Sequence, residues 1–180
     1  MEVAKHLETS VVDTLRMLGM EDAQFVVDVT ETESYTPLGM DSVAYLFTAN
    51  RTTKPGAVER IASGGELSRI MLALKALIAE KRMLPTVIFD EIDTGVSGRI
   101  ADAIGDIIAR LAESMQIVDI THLPQVASKS GAHFVVYKEE GRTNIRRLTK
   151  TERVGEIAKM LSGSEITDAA LKQAKILLGK

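Results

Sequence analysis

Leu7, Val11, Leu15 and Leu18 recur at helical spacing, which predicts a first helix over 2–18. The stripe is narrow, nearly heptad-like, and opens in mid-pattern. This helix is therefore expected to be the last piece of a longer one, a coiled-coil arm; a single surface helix is the alternative. Two short runs rich in valine and aromatics, 24–29 and 43–48, read as strands that pair antiparallel. Residues 30–41, with Pro37 and Gly39, read as a loop, and 50–57, with Lys54-Pro55-Gly56, as a linker. A strong helix is predicted over 65–81, with Leu67, Ile70, Met71, Leu74, Leu77 and Ile78 on one face.

Beyond Pro85 the pattern changes. Thr86-Val87-Ile88-Phe89 is apolar without alternation, the mark of a strand buried on both faces of a parallel sheet. Residues 92–98 read as a loop. Ile100, Ile104, Ile107, Ile108 and Leu111 mark the next helix. A further strand over 116–120 ends at Thr121-His122, and a short helix over 123–131 carries Pro124 in its first turn. Residues 134–137 and 143–148 flank Glu139-Glu140-Gly141-Arg142 as a hairpin. Two helices close the chain, 152–161 capped by Thr151 and 167–178. Strands alternating with helices predict an α/β fold, a mostly parallel sheet with flanking helices. Two regions are expected: 1–19 as the end of a coiled-coil helix and 20–180 as one lobe.

Composition narrows this little. The chain has 180 residues, 45% of them hydrophobic and 26% charged, as in an ordinary globular domain with one sizeable core. A net charge of -3 does not point to nucleic acid, though a local patch could still bind it. Without cysteine there is no disulfide framework or thiolate metal site, which fits a reducing cytosol. No apolar run reaches membrane-spanning length, and residues 2–8 lack a signal-peptide core. Aromatics at 4% argue against base-stacking platforms.

The chemistry starts at Ser63-Gly64-Gly65-Glu66. Ser63 and Glu66 make a capping box, but a cap does not need two glycines, each of which costs a helix roughly 1 kcal/mol relative to alanine. Bare N–H groups that an anion can approach are the alternative return, and from this stretch alone both readings stand. Ligands of open parallel sheets bind beyond the carboxyl ends of the strands. Asp90-Glu91 follows one strand, His122 follows the next, and Asp93-Thr94-Gly95-Val96-Ser97-Gly98 leaves the same edge. Paired acids there suit metal-assisted phosphoryl transfer, one holding Mg²⁺ and the other orienting or deprotonating water. His122 would donate to a terminal phosphate. Taken singly, a lone Asp-Glu is an ordinary polar strand end, and a lone histidine an ordinary hydrogen-bonded one.

In this order the motifs resemble the C-terminal lobe of an ABC-type ATPase: signature (63–66), Walker B (87–91), D-loop (93–98) and switch histidine (His122). Ala62 to Lys75, Phe89 to Gly98, Thr121 to Ala127 and Arg153 to Gly163 are similar to the bacterial RecN family of DNA repair proteins. The resemblance runs from about Phe25 onward and implies an SMC-like head. It implies Glu91 as the catalytic glutamate, Asp90 as support for Mg²⁺, and His122 as a γ-phosphate contact in cis. Ser63, Gly64, Gly65 and Glu66 would close over the ATP of a second, identical head, and Asp93 and Ser97 would touch across the dimer. It further implies action on DNA through the full-length protein, in the cytoplasm at the nucleoid, with no membrane.

The chain departs from the family pattern in one respect: it has no Gly-x-x-x-x-Gly-Lys-[Ser/Thr] P-loop, its only Gly-Lys being Gly179-Lys180. The family carries that loop in an N-terminal Walker A lobe, so half a head is expected here, inactive alone because the main phosphate cradle is missing. A transporter nucleotide-binding subunit and a non-catalytic interaction module are the alternatives. Arg142, Arg146 and Arg147 are the candidate basic contacts to DNA.

Overall fold

The computed structural model describes residues 2–37, 39–90, 92–163 and 165–179, apart from the side chain of Ile61. The chain divides into two compact units: residues 1–85 with 94–96, and residues 86–93 with 97–180.

The first unit begins with α1 (Glu2–Met17). Its Val11 and Leu15 are buried in a cluster with Phe25, Phe47, Ile70 and Ala73. The expected stripe thus faces the core of this unit. Strands β1 (Gln24–Thr36) and β2 (Gly39–Thr48) pair antiparallel from Gln24↔Thr48 to Glu31↔Asp41, then irregularly to Thr36↔Gly39. The expected loop over 30–41 is therefore mostly strand. Most of its described residues are polar and exposed, so no apolar alternation announces them, and cross-strand pairing extends the ribbon instead. The linker ends in β3 (Gly56–Ala57), which pairs with β2, and the short α2 (Val58–Ile61) follows it.

Helix α3 (Gly64–Arg82) ends at Met83 in the left-handed region, φ 48°. Its buried face overlaps the expected one only in part: Ile70 is buried and Leu74 packs against the same cluster. Ile70, Leu72, Ala73, Ala76 and Ala79 are buried, whereas Leu67, Met71 and Ile78 are 39%, 41% and 52% exposed. Periodicity locates a helical stripe, but small residues let the other face pack more closely.

In the second unit, β4 (Thr86–Asp90) and β5 (Gln116–Ile120) run parallel, joined through α4 (Gly98–Leu111). Register Phe89↔Asp119 and Asp90↔Ile120 sets Asp90 at the carboxyl edge. Burial on both faces of β4 is not what the strand shows: Phe89 is buried but Ile88 is 63% exposed. α5 (Pro124–Ser128) follows, with proline in its first turn. Then β6 (Phe134–Glu139) and β7 (Arg142–Arg147) form an antiparallel hairpin. Its turn residues Glu140 and Gly141 both have positive φ, 49° and 76°, as a two-residue hairpin turn requires. α6 (Lys150–Ser162) is capped by Thr149 rather than Thr151. α7 (Asp168–Leu177) is capped by Thr167. Their faces meet through Ile157, Ala158, Ala170 and Ala174.

The fold is α/β, but among the described residues only the β4–β5 sheet is parallel, and the other two sheets are antiparallel. "Mostly parallel" therefore holds for the strands that carry the chemistry and not for the chain.

Candidate functional site

The start of α3 is built as a capping box. The Ser63 N–H donates to Glu66 Oε2 at 2.7 Å, and the Ser63 hydroxyl takes the reciprocal position with looser geometry. Glu66 also places a negative charge on the positive end of the helix dipole. Ser63 and Gly64 are exposed. A Cβ at Gly64 would meet nothing within 4 Å, and one at Gly65 only the Gly95 carbonyl at 3.8 Å. Neither glycine has positive φ. Packing and backbone geometry thus do not require this pair, and alanine would make the better helix. What a glycine can provide at a helix N-terminus is close approach of an anion to the backbone N–H groups.

The second unit carries the other expected residues. Asp90 is exposed at the end of β4, and Glu91 lies outside the described residues. Gly95 and Gly98 turn the following loop with φ of 78° and 57°, values that favour glycine. Ser97 is exposed and occupies the N-cap of α4 without a side-chain cap bond.

Asp93 is not at the surface. Its side chain is 2% exposed. The Thr121 hydroxyl donates to Asp93 Oδ2, and Thr121 Oγ1 accepts from the Leu123 N–H at 3.0 Å. Asp93 Oδ1 lies 3.7 Å from Nδ1 of His122, whose side chain is 66% exposed. Asp119 stands beside this group. Burial, reinforced by the charge of Asp93, pushes its carboxyl up to about 6. Sequence reasoning passed over Thr121 and Asp119. A carboxylate interrupting the apolar strand Gln-Ile-Val-Asp-Ile was the available signal.

Among the described residues no three His, Cys, Asp or Glu side chains converge as a metal cage. That is compatible with Mg²⁺, which keeps waters and substrate phosphates and takes one or two carboxylates from the protein. Exposed Asp90 can supply one. Among the basic candidates, Arg142 and Arg147 are exposed, while Arg146 is paired with Glu152 at 2.7 Å. No described helix is long and apolar enough to cross a membrane.

No protein-family profile matches the chain. It is 44% identical over 179 residues to the DNA repair protein RecN of Rickettsia typhi, a match covering 97% of this chain and 32% of that protein. It is 38% identical over 180 residues to RecN of Haemophilus influenzae, with the same coverage. The chain thus spans about a third of the length of these curated relatives. Its fold matches a solved chain concerned with ATP-driven dimerization and DNA-stimulated activation of SMC ATPases. That match has TM-score 0.66 and 16% identity, and covers 92% of this chain and 96% of that one. It also matches the Smc head domain of Pyrococcus yayanosii, with TM-score 0.67 and 16% identity, over 94% of this chain and 29% of that one. By sequence the chain belongs with the RecN proteins, over about a third of their length, and its fold is that of an SMC-type head.

Proposed function

We propose that this chain is the C-terminal lobe of a RecN-like ATPase acting in DNA double-strand break repair, and that it supplies two half-sites to a pair of heads. The observation that carries the reading is the glycine pair at the start of α3. The fold gives Gly64 and Gly65 no steric or conformational reason to be glycine, so their cost to the helix is explained by a ligand. On this reading Ser63, Gly64 and Gly65 donate to the terminal phosphate of ATP held by a second head. Glu66 keeps the cap closed.

The other half-site serves this head's own nucleotide. Asp90 would hold Mg²⁺, directly or through water, and Glu91 would orient and deprotonate the attacking water. His122 would donate to the terminal phosphate, and Ser97 would touch the second head. Mg²⁺, when bound, neutralises charge developing on the transferred phosphoryl group.

An open face on the parallel sheet also supports a partner lobe. Ile88 and Val118 are register partners, as are Asp90 and Ile120. The three apolar residues of this face are 63%, 43% and 53% exposed, whereas parallel sheets are normally covered on both faces. The cover proposed is the Walker A lobe of the same protein, which also brings the P-loop. α1 would then be the end of the coiled-coil arm, and ATP would act as interface glue between heads that clamp DNA in the cytoplasm.

Ser63→Arg tests the half-site in trans. In the complete protein it should spare ATP binding and block ATP-dependent head pairing, read by light scattering. Unchanged pairing would remove Ser63 from the interface.

A further inference from the structure

The geometry assigns Asp93 as the positioning partner of His122, holding that imidazole as the Nδ1–H tautomer so that Nε2 serves the ligand. The inference rests on the reading of His122 given above and names the group that prepares it.

Three observations carry it. First, Asp93 is a buried carboxylate with one oxygen satisfied and one not. Oδ2 accepts from Thr121, while Oδ1 has no hydrogen-bond partner among the described residues. A buried acceptor left unpaired is costly, so Oδ1 has strong reason to find a donor. Second, Nδ1 of His122 is a donor in reach, at 3.7 Å. A side-chain shift of less than about 1 Å would make this a full bond, and His122 is exposed enough to move. Third, the carboxylate is held in place. Thr121 Oγ1 accepts from the Leu123 N–H at 3.0 Å, which directs the hydroxyl proton onto Asp93 Oδ2 and leaves Oδ1 aimed at the ring. A histidine that donates through Nδ1 to a fixed carboxylate presents its other nitrogen in a defined state. Asp93 thus acts through His122 and does not touch the nucleotide.

The test reads the tautomer directly. The chain labelled with ¹⁵N-histidine contains three imidazoles, His6, His122 and His133, assigned by single substitutions to Gln. At alkaline pH, where the rings are neutral, two-bond ¹⁵N–¹H couplings should show His122 protonated at Nδ1. In Asp93→Asn the Thr121 hydroxyl still donates to the side-chain oxygen. The amide then turns its N–H toward His122, and the ring should switch to Nε2–H. Thr121→Val, which frees the carboxylate without removing it, should give a mixture of tautomers. Amide spectra of both variants control for folding. An Nε2–H tautomer in the unsubstituted chain, or one unmoved by Asp93→Asn, overturns the assignment.

Turnover by the complete protein separates this inference from the reading beneath it. Asp93→Asn should lower kcat roughly 10- to 100-fold, the range for groups that orient a functional histidine, with KM for ATP changed less. A switched tautomer with unchanged turnover, in Asp93→Asn and His122→Ala alike, would keep the pairing and overturn the phosphate role of His122.

Discussion

On the function proposed above, Gly64 and Gly65 set local stability against ligand access. Because neither position is crowded or left-handed, replacing either with alanine should stabilise the chain by up to about 1 kcal/mol, seen as a higher Tm. In the complete protein the same changes should weaken ATP-dependent pairing. Asp119 makes a second prediction. Its carboxyl, pushed up to about 6 from an ordinary 3.8, holds its proton more tightly folded than unfolded. Stability therefore falls as pH rises from about 4 through 6, and the loss is complete above that range. Asp119→Asn should be more stable than the parent by about 1–2 kcal/mol at pH 7.5, a figure reduced for the solvent that still reaches the group. The difference should vanish below pH 4 in urea melts followed by circular dichroism. At this scale the sequence was legible where residues form a motif: the cap at Ser63 and Glu66, and the acid that ends β4. It was not legible for Asp93, whose hydrogen-bond partner Thr121 lies 28 positions away.

Helices and strands read from periodicity were found close to their expected bounds, and the misses share a cause. The distal part of β1 and β2 is polar on both faces, so nothing in its composition separates it from a loop. The inner face of α3 adds Ala73, Ala76 and Ala79 to Ile70 and Leu72, so the larger residues of that helix located only part of it. Helix contacts through small residues are sensitive to added volume, and α4 against α5 is the sharpest case. A Cβ at Gly105 would stand 2.9 Å from the Lys129 Cδ and 3.3 Å from both the Gln125 carbonyl oxygen and the Val126 Cα. Lys129 has little freedom to yield, because its ammonium is paired with Asp102 at 2.8 Å. Gly105→Val should destabilise the second unit by roughly 1–3 kcal/mol, measured by denaturant unfolding. The cap of α6 is a milder case. Thr149 accepts from the Glu152 N–H at 3.3 Å, and Thr149→Ala should cost about 1 kcal/mol.

Across the whole molecule, the composition of an ordinary globular domain conceals an incomplete set of chemical parts. The Ser63-Gly64-Gly65-Glu66 helix, the acid-ended strand and His122 are here, and a P-loop is not among the 180 residues. The sequence made that imbalance visible, because motif order survives without a structure. The exposed face around Ile88, Val118 and Ile120 was not visible, since an apolar strand reads the same whether or not its cover belongs to the same chain. Adding the Walker A lobe should cover that face and reduce binding of an apolar dye. We propose that this chain holds signature and Walker B chemistry and depends on another lobe for its phosphate cradle. ATP turnover by the purified chain, alone and with the Walker A lobe supplied as a second polypeptide, tests it most directly. The account predicts no turnover alone, and turnover by the pair that Glu91→Gln abolishes. Robust hydrolysis by the chain alone, lost in Glu91→Gln, would contradict it.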